Sequence, residues 1–171
     1  MHYRSAKGAA CEHFEYLADH DADPRIGLIR SLIENIRRPG PIIVYNIGFE
    51  RSRLTEMQRD FPHYANELGH IIDHLVDLMP VFRSKHYWTE AMGDSYSIKV
   101  VLPALCPDCS YEDLEIQDGS SASGIFLTLY GCGDTELIAM TRKDLLAYCE
   151  MDTWAMVRLV KVLEEAVSRK Q

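Results

Sequence analysis

The chain has 171 residues, of which 47% are hydrophobic, and a formal net charge of −8. This length is that of about one domain, and this hydrophobic content excludes a disordered chain. The negative charge gives the chain as a whole no attraction to nucleic acid, so a nucleic-acid role requires a local basic patch or metal ions. No apolar run approaches the ~18–20 residues of a membrane span, and the first residues lack the apolar segment of a signal peptide. The five scattered cysteines favour a reducing cytoplasm over a disulfide framework.

The first third of the sequence predicts alternating strands and helices. Residues 1–4 are predicted to end one strand, and residues 13–17 to form a second after a polar turn. Asp23 and Pro24 are a typical N-cap and first helical residue. The predicted buried face of this helix consists of Ile26, Ile29, Ile33 and Ile36. The β-branched run 42–45 then predicts a strand covered on both faces. This order indicates an α/β sheet with at least one crossover.

A second helix is predicted directly after strand 42–45. Its apolar stripe contains Leu54, Met57 and Phe61, and a step of four residues back from Leu54 leads to Glu50. A carboxylate therefore begins an apolar helix face just past the carboxyl end of a buried strand, where α/β sheets bind ligands. The helix dipole alone also favours an acid at this position, so both interpretations of Glu50 stay open.

The last thirty residues predict one long helix from residue 141 to residue 171. Thr141 and Asp144 form a capping-box start, and no Gly or Pro follows. The predicted buried stripe consists of Leu145, Cys149, Met156, Leu159, Leu163 and Ala166. Asp152 interrupts this stripe, and Tyr148 lies four residues earlier on the same side. Since a buried unpaired carboxylate is costly, Asp152 requires a cation, a hydrogen-bond donor or local water.

Two motifs resemble those of the DEDD 3′–5′ exonucleases. Tyr45-Asn46-x-x-Phe49-Glu50 resembles the second motif of that superfamily. Tyr148-x-x-x-Asp152 resembles the third motif of its tyrosine subclass. Segments 77–82 and 95–102 resemble the parts between these motifs. More narrowly, the run 77–118 is similar to an uncharacterised bacterial domain family placed among ribonuclease-H-like folds. In its longer members this domain follows a RecB-like nuclease region.

The resemblance implies a single ribonuclease-H-like domain over residues 1–171, with an exonuclease-like sheet flanked by helices. It also implies a metal-dependent phosphodiesterase acting on DNA or RNA 3′ ends. Glu50 and Asp152 would then be ligands of two Mg²⁺ or Mn²⁺ ions roughly 3.5–4 Å apart. Tyr148 would position the attacking water, and Asn46 and Phe49 would contact the substrate.

The first motif of that superfamily, an Asp-x-Glu pair, is absent from this sequence. We expect it on a strand preceding residues 1–4, so the domain is expected to be incomplete at its N-terminus and to bind metal weakly. The alternative function is a non-catalytic ribonuclease-H-like module that binds a protein or nucleic-acid partner. A strand 42–45 without its neighbour would leave an open edge, so a homodimer that covers this edge is a further expectation.

Other groups of residues have alternative interpretations. Glu67, His70, His74 and Asp77 have the spacing of one polar helix face, which is typical of solvated helices and also of zinc sites. Asp77 is either a structural acid or an acid beside a metal. Cys106 and Cys109 have zinc-ribbon spacing, but no second pair follows, so small buried cysteines are favoured. A phosphate path is one role for Arg37, Arg38, Arg51, Arg53, Arg83 and Lys85. Asp118 predicts a turn or helix start. Residues 124–130 have strand propensity, whereas the resemblance implies a helix there, which we favour.

Overall fold

The computed structural model describes residues 1–36 and 40–169. In chain order the elements are β1 (His2–Arg4), β2 (Cys11–His13), α1 (Pro24–Asn35), β3 (Ile42–Val44), α2 (Ile47–Asp60), α3 (Ala65–Asp73), β4 (Leu75–Asp77), α4 (Met79–Arg83), α5 (Ile98–Leu105), α6 (Gly119–Thr128) and α7 (Thr135–Ser168). The predicted mixed α/β class is confirmed, with helices predominating and the strands pairing as β1–β2 and β3–β4. In the described part of the chain, no helix is both long and apolar enough to span a membrane.

The chain divides into two compact units. The first unit contains Met1–Leu28 and Ser110–Trp154, and the second contains Ile29–Cys109 and Ala155–Gln171. The predicted single ribonuclease-H-like domain over residues 1–171 stays a prediction.

In the first unit, β1 and β2 form an antiparallel hairpin. Their register places His2 opposite His13 and Arg4 opposite Cys11. The predicted hairpin is confirmed, but the strand expected at residues 13–17 ends at His13. Beyond the His2–His13 pair, Met1 and Phe14 still exchange two backbone hydrogen bonds, at 2.7 and 2.9 Å. The register therefore places two histidines on the same face of the hairpin.

Helix α1 begins where the sequence predicted, and the Arg25 N–H donates to the Asp23 carboxylate at 3.0 Å. The predicted buried face is correct at Ile29, which is fully buried, but wrong at Ile26, which is 39% exposed. Ile26 lies in the first turn of the helix, close to the exposed residues that precede it.

In the second unit, β3 and β4 pair in parallel, with Ile42 opposite Leu75 and Val44 opposite Asp77. The predicted crossover is confirmed, and it runs through α2 and α3. Parallel strands require such a connection because the end of the first strand and the start of the second lie at opposite edges of the sheet. The core beneath the crossover consists of Ile29, Leu54, Leu68 and Ile71. Met57 and Phe61 from the predicted α2 stripe pack against this cluster.

Asp77 lies at the end of β4, not on the helical face that its spacing from His74 predicted, because α3 ends at Asp73. Its carboxylate accepts backbone hydrogen bonds from Asn46 at 3.0 Å, Ile47 at 3.2 Å and Met79 at 3.0 Å. These donors lie at the starts of α2 and α4, where exposed N–H groups favour a negative charge. The structural interpretation of Asp77 is therefore favoured.

Helix α7 begins at Thr135 rather than at Thr141. The Asp134 carboxylate accepts from the N–H groups of Glu136 at 3.1 Å and Leu137 at 3.0 Å, so it supplies the N-terminal cap. The capping-box start predicted at Thr141 is therefore wrong, since that residue lies inside the helix. At α6 the predicted start is confirmed, because the Asp118 carboxylate accepts from the Ser121 N–H at 2.9 Å.

Replacing Asp77 with Ala is expected to destabilise the protein by about 2–3 kcal/mol, because it leaves backbone N–H groups without an acceptor. The matched change Asp73→Ala removes an exposed acid at the end of α3 and is expected to stay within ~0.5 kcal/mol. Urea unfolding followed by circular dichroism measures both. Equal stability of the two variants would contradict the role assigned to Asp77.

A homodimer through β3 stays a prediction. Among residues 1–36 and 40–169, β3 has a strand partner on one side, β4. An apolar strand with a free side recruits another strand, and a second copy of the chain supplies one. We expect sedimentation velocity at micromolar concentration to give a dimer that dissociates on dilution. A monomer at every concentration would contradict this expectation.

Candidate functional site

The buried face of α7 differs slightly from the predicted stripe. Its most buried residues are Leu145, Tyr148, Ala155 and Leu159, each at most 7% exposed. Cys149 is exposed and Met156 is half-buried. Asp152 is also half-buried and falls between Tyr148 and Ala155 in this series, at steps of four and three. An acid therefore occupies a position on this face where the helical period requires an apolar residue.

Two tyrosines flank the Asp152 carboxylate in the first unit. Tyr111 donates to Oδ1 at 2.8 Å, and Tyr148 lies one turn earlier on the same face of α7. The two rings lie 6.2 Å apart between centroids, and both tyrosines are buried. Burial, and after it the negative charge of Asp152, raises the pKa of both Tyr111 and Tyr148. Both phenols therefore stay protonated.

The sequence did not predict Tyr111 as part of this site. It lies in the irregular segment before α6 and is 41 residues from Asp152. No periodic pattern relates a residue in such a segment to a helix face. In the sequence Tyr111 is marked only as a large aromatic residue followed by two acidic residues. Such a pattern is common and does not indicate a contact with Asp152.

The start of α6 lies beside the Tyr148 hydroxyl. A Cβ atom at Gly119 would lie 3.6 Å from this oxygen, which is ordinary van der Waals contact. The charge of Asp118, the N-cap of α6, is one of the lesser causes that raise the pKa of Tyr148. The site in the first unit therefore consists of Tyr111, Tyr148, Asp152 and the start of α6.

The second motif lies in the second unit, at the start of α2. Asn46 has a left-handed backbone, with φ of 76°, and its N–H donates to Asp77. Phe49 is 64% exposed, and the Arg53 guanidinium lies 5.9 Å from the centre of its ring. Glu50 is half-buried in the first turn of the helix. Phe49 thus presents an aromatic surface with a cation beside it.

The structure brings Tyr148 and Asp152 together, as the resemblance implied. It likewise places Asn46, Phe49 and Glu50 together at the start of α2. These two groups belong to different units, and the convergence of Glu50 and Asp152 stays a prediction.

At the two alternative metal sites suggested by the sequence, the side chains bond to nearby protein groups. The rings of His70 and His74 lie 4.1 Å apart, and His74 Nδ1 bonds to the His70 carbonyl. Cys106 and Cys109 are both buried, and Arg158 donates to Cys109 Sγ at 2.9 Å. Burial raises the pKa of Cys106, which disfavours the thiolate that binds metals.

Some of the predicted basic path is neutralised. Arg53 pairs with Glu56 at 2.7 Å, and Lys85 pairs with Asp94 at 2.9 Å. Arg37 and Arg38 lie outside the described residues. Within the described part of the chain, the ligand atoms of three metal-binding side chains, His2, His13 and Glu150, lie within 4.8 Å of one another. Neither Glu50 nor Asp152 belongs to this group, and the sequence patterns did not predict it.

Comparisons with known proteins place the chain among bacterial proteins of undetermined role. An uncharacterised protein of Mycoplasma pneumoniae, the MG366 homolog, is 30% identical over 142 residues, which cover 75% of this chain and 21% of the relative. MG366 of Mycoplasma genitalium is 26% identical over 154 residues, which cover 83% of this chain and 23% of the relative. The chain thus spans about a fifth of the length of these curated relatives. No solved structure matches. Residues 1–97 match the model of a domain of unknown function, DUF2779, and the chain belongs to this family.

Proposed function

We propose that the chain is a ribonuclease-H-like 3′–5′ exonuclease domain that hydrolyses phosphodiester bonds in DNA or RNA with Mg²⁺ or Mn²⁺. The observation that carries this proposal is the environment of Asp152. Its carboxylate lies on the buried face of α7, where it accepts from the Tyr111 hydroxyl at 2.8 Å and follows Tyr148 by one helical turn. The same pair of residue types, at the same spacing, makes up the third motif of the tyrosine-subclass exonucleases.

The residues at this site fit a hard divalent ion. A carboxylate has about four lone-pair sites, and the hydrogen bond from Tyr111 leaves others for a metal. Carboxylates that bind metals are themselves ordinarily hydrogen-bonded by neighbouring residues. Carboxylate oxygens also suit Mg²⁺ and Mn²⁺ better than softer ions. Asp152 and Glu50 would hold the ions, which activate water and stabilise the leaving oxygen.

Each residue of the site has a role that its surroundings support. Tyr111 holds the Asp152 carboxylate in one orientation through its 2.8 Å hydrogen bond. Tyr148 keeps its proton, because burial and the charge of Asp152 raise its pKa, so it orients water instead of acting as a base. Such positioning accounts for part of the rate of many enzymes.

The exposed ring of Phe49 supports a role in substrate binding. Aromatic side chains stack on the bases of single strands without sequence preference. The Arg53 guanidinium lies beside the ring, 5.9 Å from its centre, and would contact a phosphate by exchanging its present partner Glu56. Asn46 precedes Phe49 at the exposed start of α2 and is the second substrate contact in the proposal.

The second candidate is a non-catalytic ribonuclease-H-like module that binds a protein or nucleic acid. One observation favours it: the hydrogen bond from Tyr111 already compensates part of the cost of burying Asp152 without a cation. In longer relatives the proposed neighbour is a RecB-like nuclease region. A module of this kind would position that neighbour or its nucleic acid and would cleave nothing itself.

Replacing Asp152 with Asn is expected to abolish metal-dependent cleavage while leaving the fold intact. Stability of the metal-free protein should be equal or higher, because a buried charge is removed. The assay uses 5′-labelled single-stranded DNA and RNA with Mn²⁺, and with EDTA as the blank. Both this chain and a chain extended at its N-terminus by an added strand with an Asp-x-Glu pair are measured. Tyr148→Phe should reduce the rate by ~10–100-fold.

Asp144→Asn is the matched control, since Asp144 lies on the same helix two turns before Asp152 and outside the tyrosine cluster. It should retain the rate of the unmodified protein. An Asp152→Asn protein with an unchanged rate would reduce Asp152 to a structural acid. Binding of oligonucleotides without cleavage by the extended chain would support the second candidate.

A further inference from the structure

The hairpin of the first unit places two imidazole rings against each other. Directly opposed residues of an antiparallel pair project from the same face with their Cβ atoms ~4.5–5.5 Å apart. His2 and His13 are such a pair. Their rings lie 4.6 Å apart between centroids, and His2 Nε2 is 3.2 Å from His13 Nδ1. Two nitrogens at this separation are joined either by the proton of a hydrogen bond or by a metal ion.

Helix α7 supplies a carboxylate at the same place. Glu150 Oε1 lies 3.9 Å from His13 Nδ1. The ligand atoms of His2, His13 and Glu150 all lie within 4.8 Å of one another. The Trp154 ring, one turn further along α7, lies 5.3 Å from the ring of His2. Trp154 thus contributes an apolar wall beside one of the histidines.

The outer nitrogen of each ring lies beside an oxygen atom. His2 Nδ1 is 2.8 Å from the Thr153 hydroxyl, which also reaches the Glu150 carbonyl at 3.1 Å. His13 Nε2 is 3.4 Å from the Glu15 carboxylate. In the tautomers in which both outer nitrogens donate to these oxygens, each ring turns an unprotonated nitrogen toward the other. This arrangement, with the outer nitrogen bonded to an oxygen, is typical of metal-binding histidines.

We propose that His2 Nε2, His13 Nδ1 and the Glu150 carboxylate bind a zinc ion that links the β1–β2 hairpin to α7. Zinc–nitrogen bonds of ~2.0–2.1 Å in tetrahedral geometry place two ligand nitrogens ~3.3 Å apart. The 3.2 Å separation in the hairpin matches this value. Glu150 needs a small shift of its side chain, which is 54% exposed and therefore adjustable.

The ligand set distinguishes this ion from those of the proposed nuclease site. Two imidazoles and one carboxylate suit zinc, whereas Mg²⁺ prefers oxygen ligands and retains its water. Three protein ligands leave a fourth position for water. The zinc site depends on neither Asp152 nor Glu50.

The test is titration of tag-free protein with ZnCl₂ in a calorimeter, with MgCl₂ as the comparison ion. One zinc ion per chain should bind, and Mg²⁺ should not compete. His13→Gln and Glu150→Gln should each weaken zinc binding by at least tenfold. Thr153→Val retains the size and branching of the side chain but removes the oxygen beside His2 Nδ1. It should lower the zinc affinity by ~10–100-fold. X-ray absorption at the zinc edge should show two imidazoles and an oxygen ligand.

The matched control is the double variant His70→Gln/His74→Gln, which removes the other close histidine pair. It should bind zinc as the unmodified protein does. Loss of zinc binding in this control but not in Glu150→Gln would overturn the proposal, as would unchanged affinity in both His13→Gln and Glu150→Gln. Glu150 is exposed on α7, so its variant tests the site even if the hairpin variant fails to fold.

Discussion

The burial of one carboxylate on the long helix α7 constrains the structure around it. A charged group removed from water costs several kcal/mol unless donors replace its hydration. For Asp152 the donors include the hydroxyl of Tyr111, which must be brought from the irregular segment before α6. The position of that segment, and with it the start of α6, is therefore tied to Asp152.

The two acids Asp77 and Asp152 differ in the kind of donor that surrounds them. Asp77 accepts three backbone N–H groups that no other residue can replace, so its carboxylate is part of the architecture of β3, α2 and α4. Asp152 accepts the hydroxyl of a side chain, Tyr111, which rotates and rearranges when a ligand arrives. This difference is the physical basis for assigning a structural role to Asp77 and a ligand-binding role to Asp152.

The parts of the fold that follow from local chemistry were predictable from the sequence. The start of α1 at Pro24, the strand at Ile42 and the α2 stripe through Leu54 all depend on neighbouring residues. The start of α7 was missed because the cap at Asp134 competes with a similar pattern at Thr141, and both lie in helix-forming sequence. The end of α3 was missed because the polar spacing continues into β4.

Long-range contacts are the cause of the remaining differences. The bond between Tyr111 and Asp152 joins residues 41 apart, and the cluster of His2, His13 and Glu150 joins a hairpin to a distant helix. Helical and strand periods carry no information about such pairs. The Tyr148–Asp152 pair was predicted because both residues lie on one helix face, four residues apart.

Anomalous diffraction from crystals grown with Mn²⁺ tests the ligand-binding role of Asp152 most directly, because it locates the ion without relying on activity. We expect a peak roughly 2.0–2.6 Å from a carboxylate oxygen of Asp152, with Tyr111 still bonded to that carboxylate. The role would be contradicted if crystals saturated with Mn²⁺ gave no peak at Asp152 while its hydrogen bond from Tyr111 was unchanged. Asp152 would then be a purely structural acid.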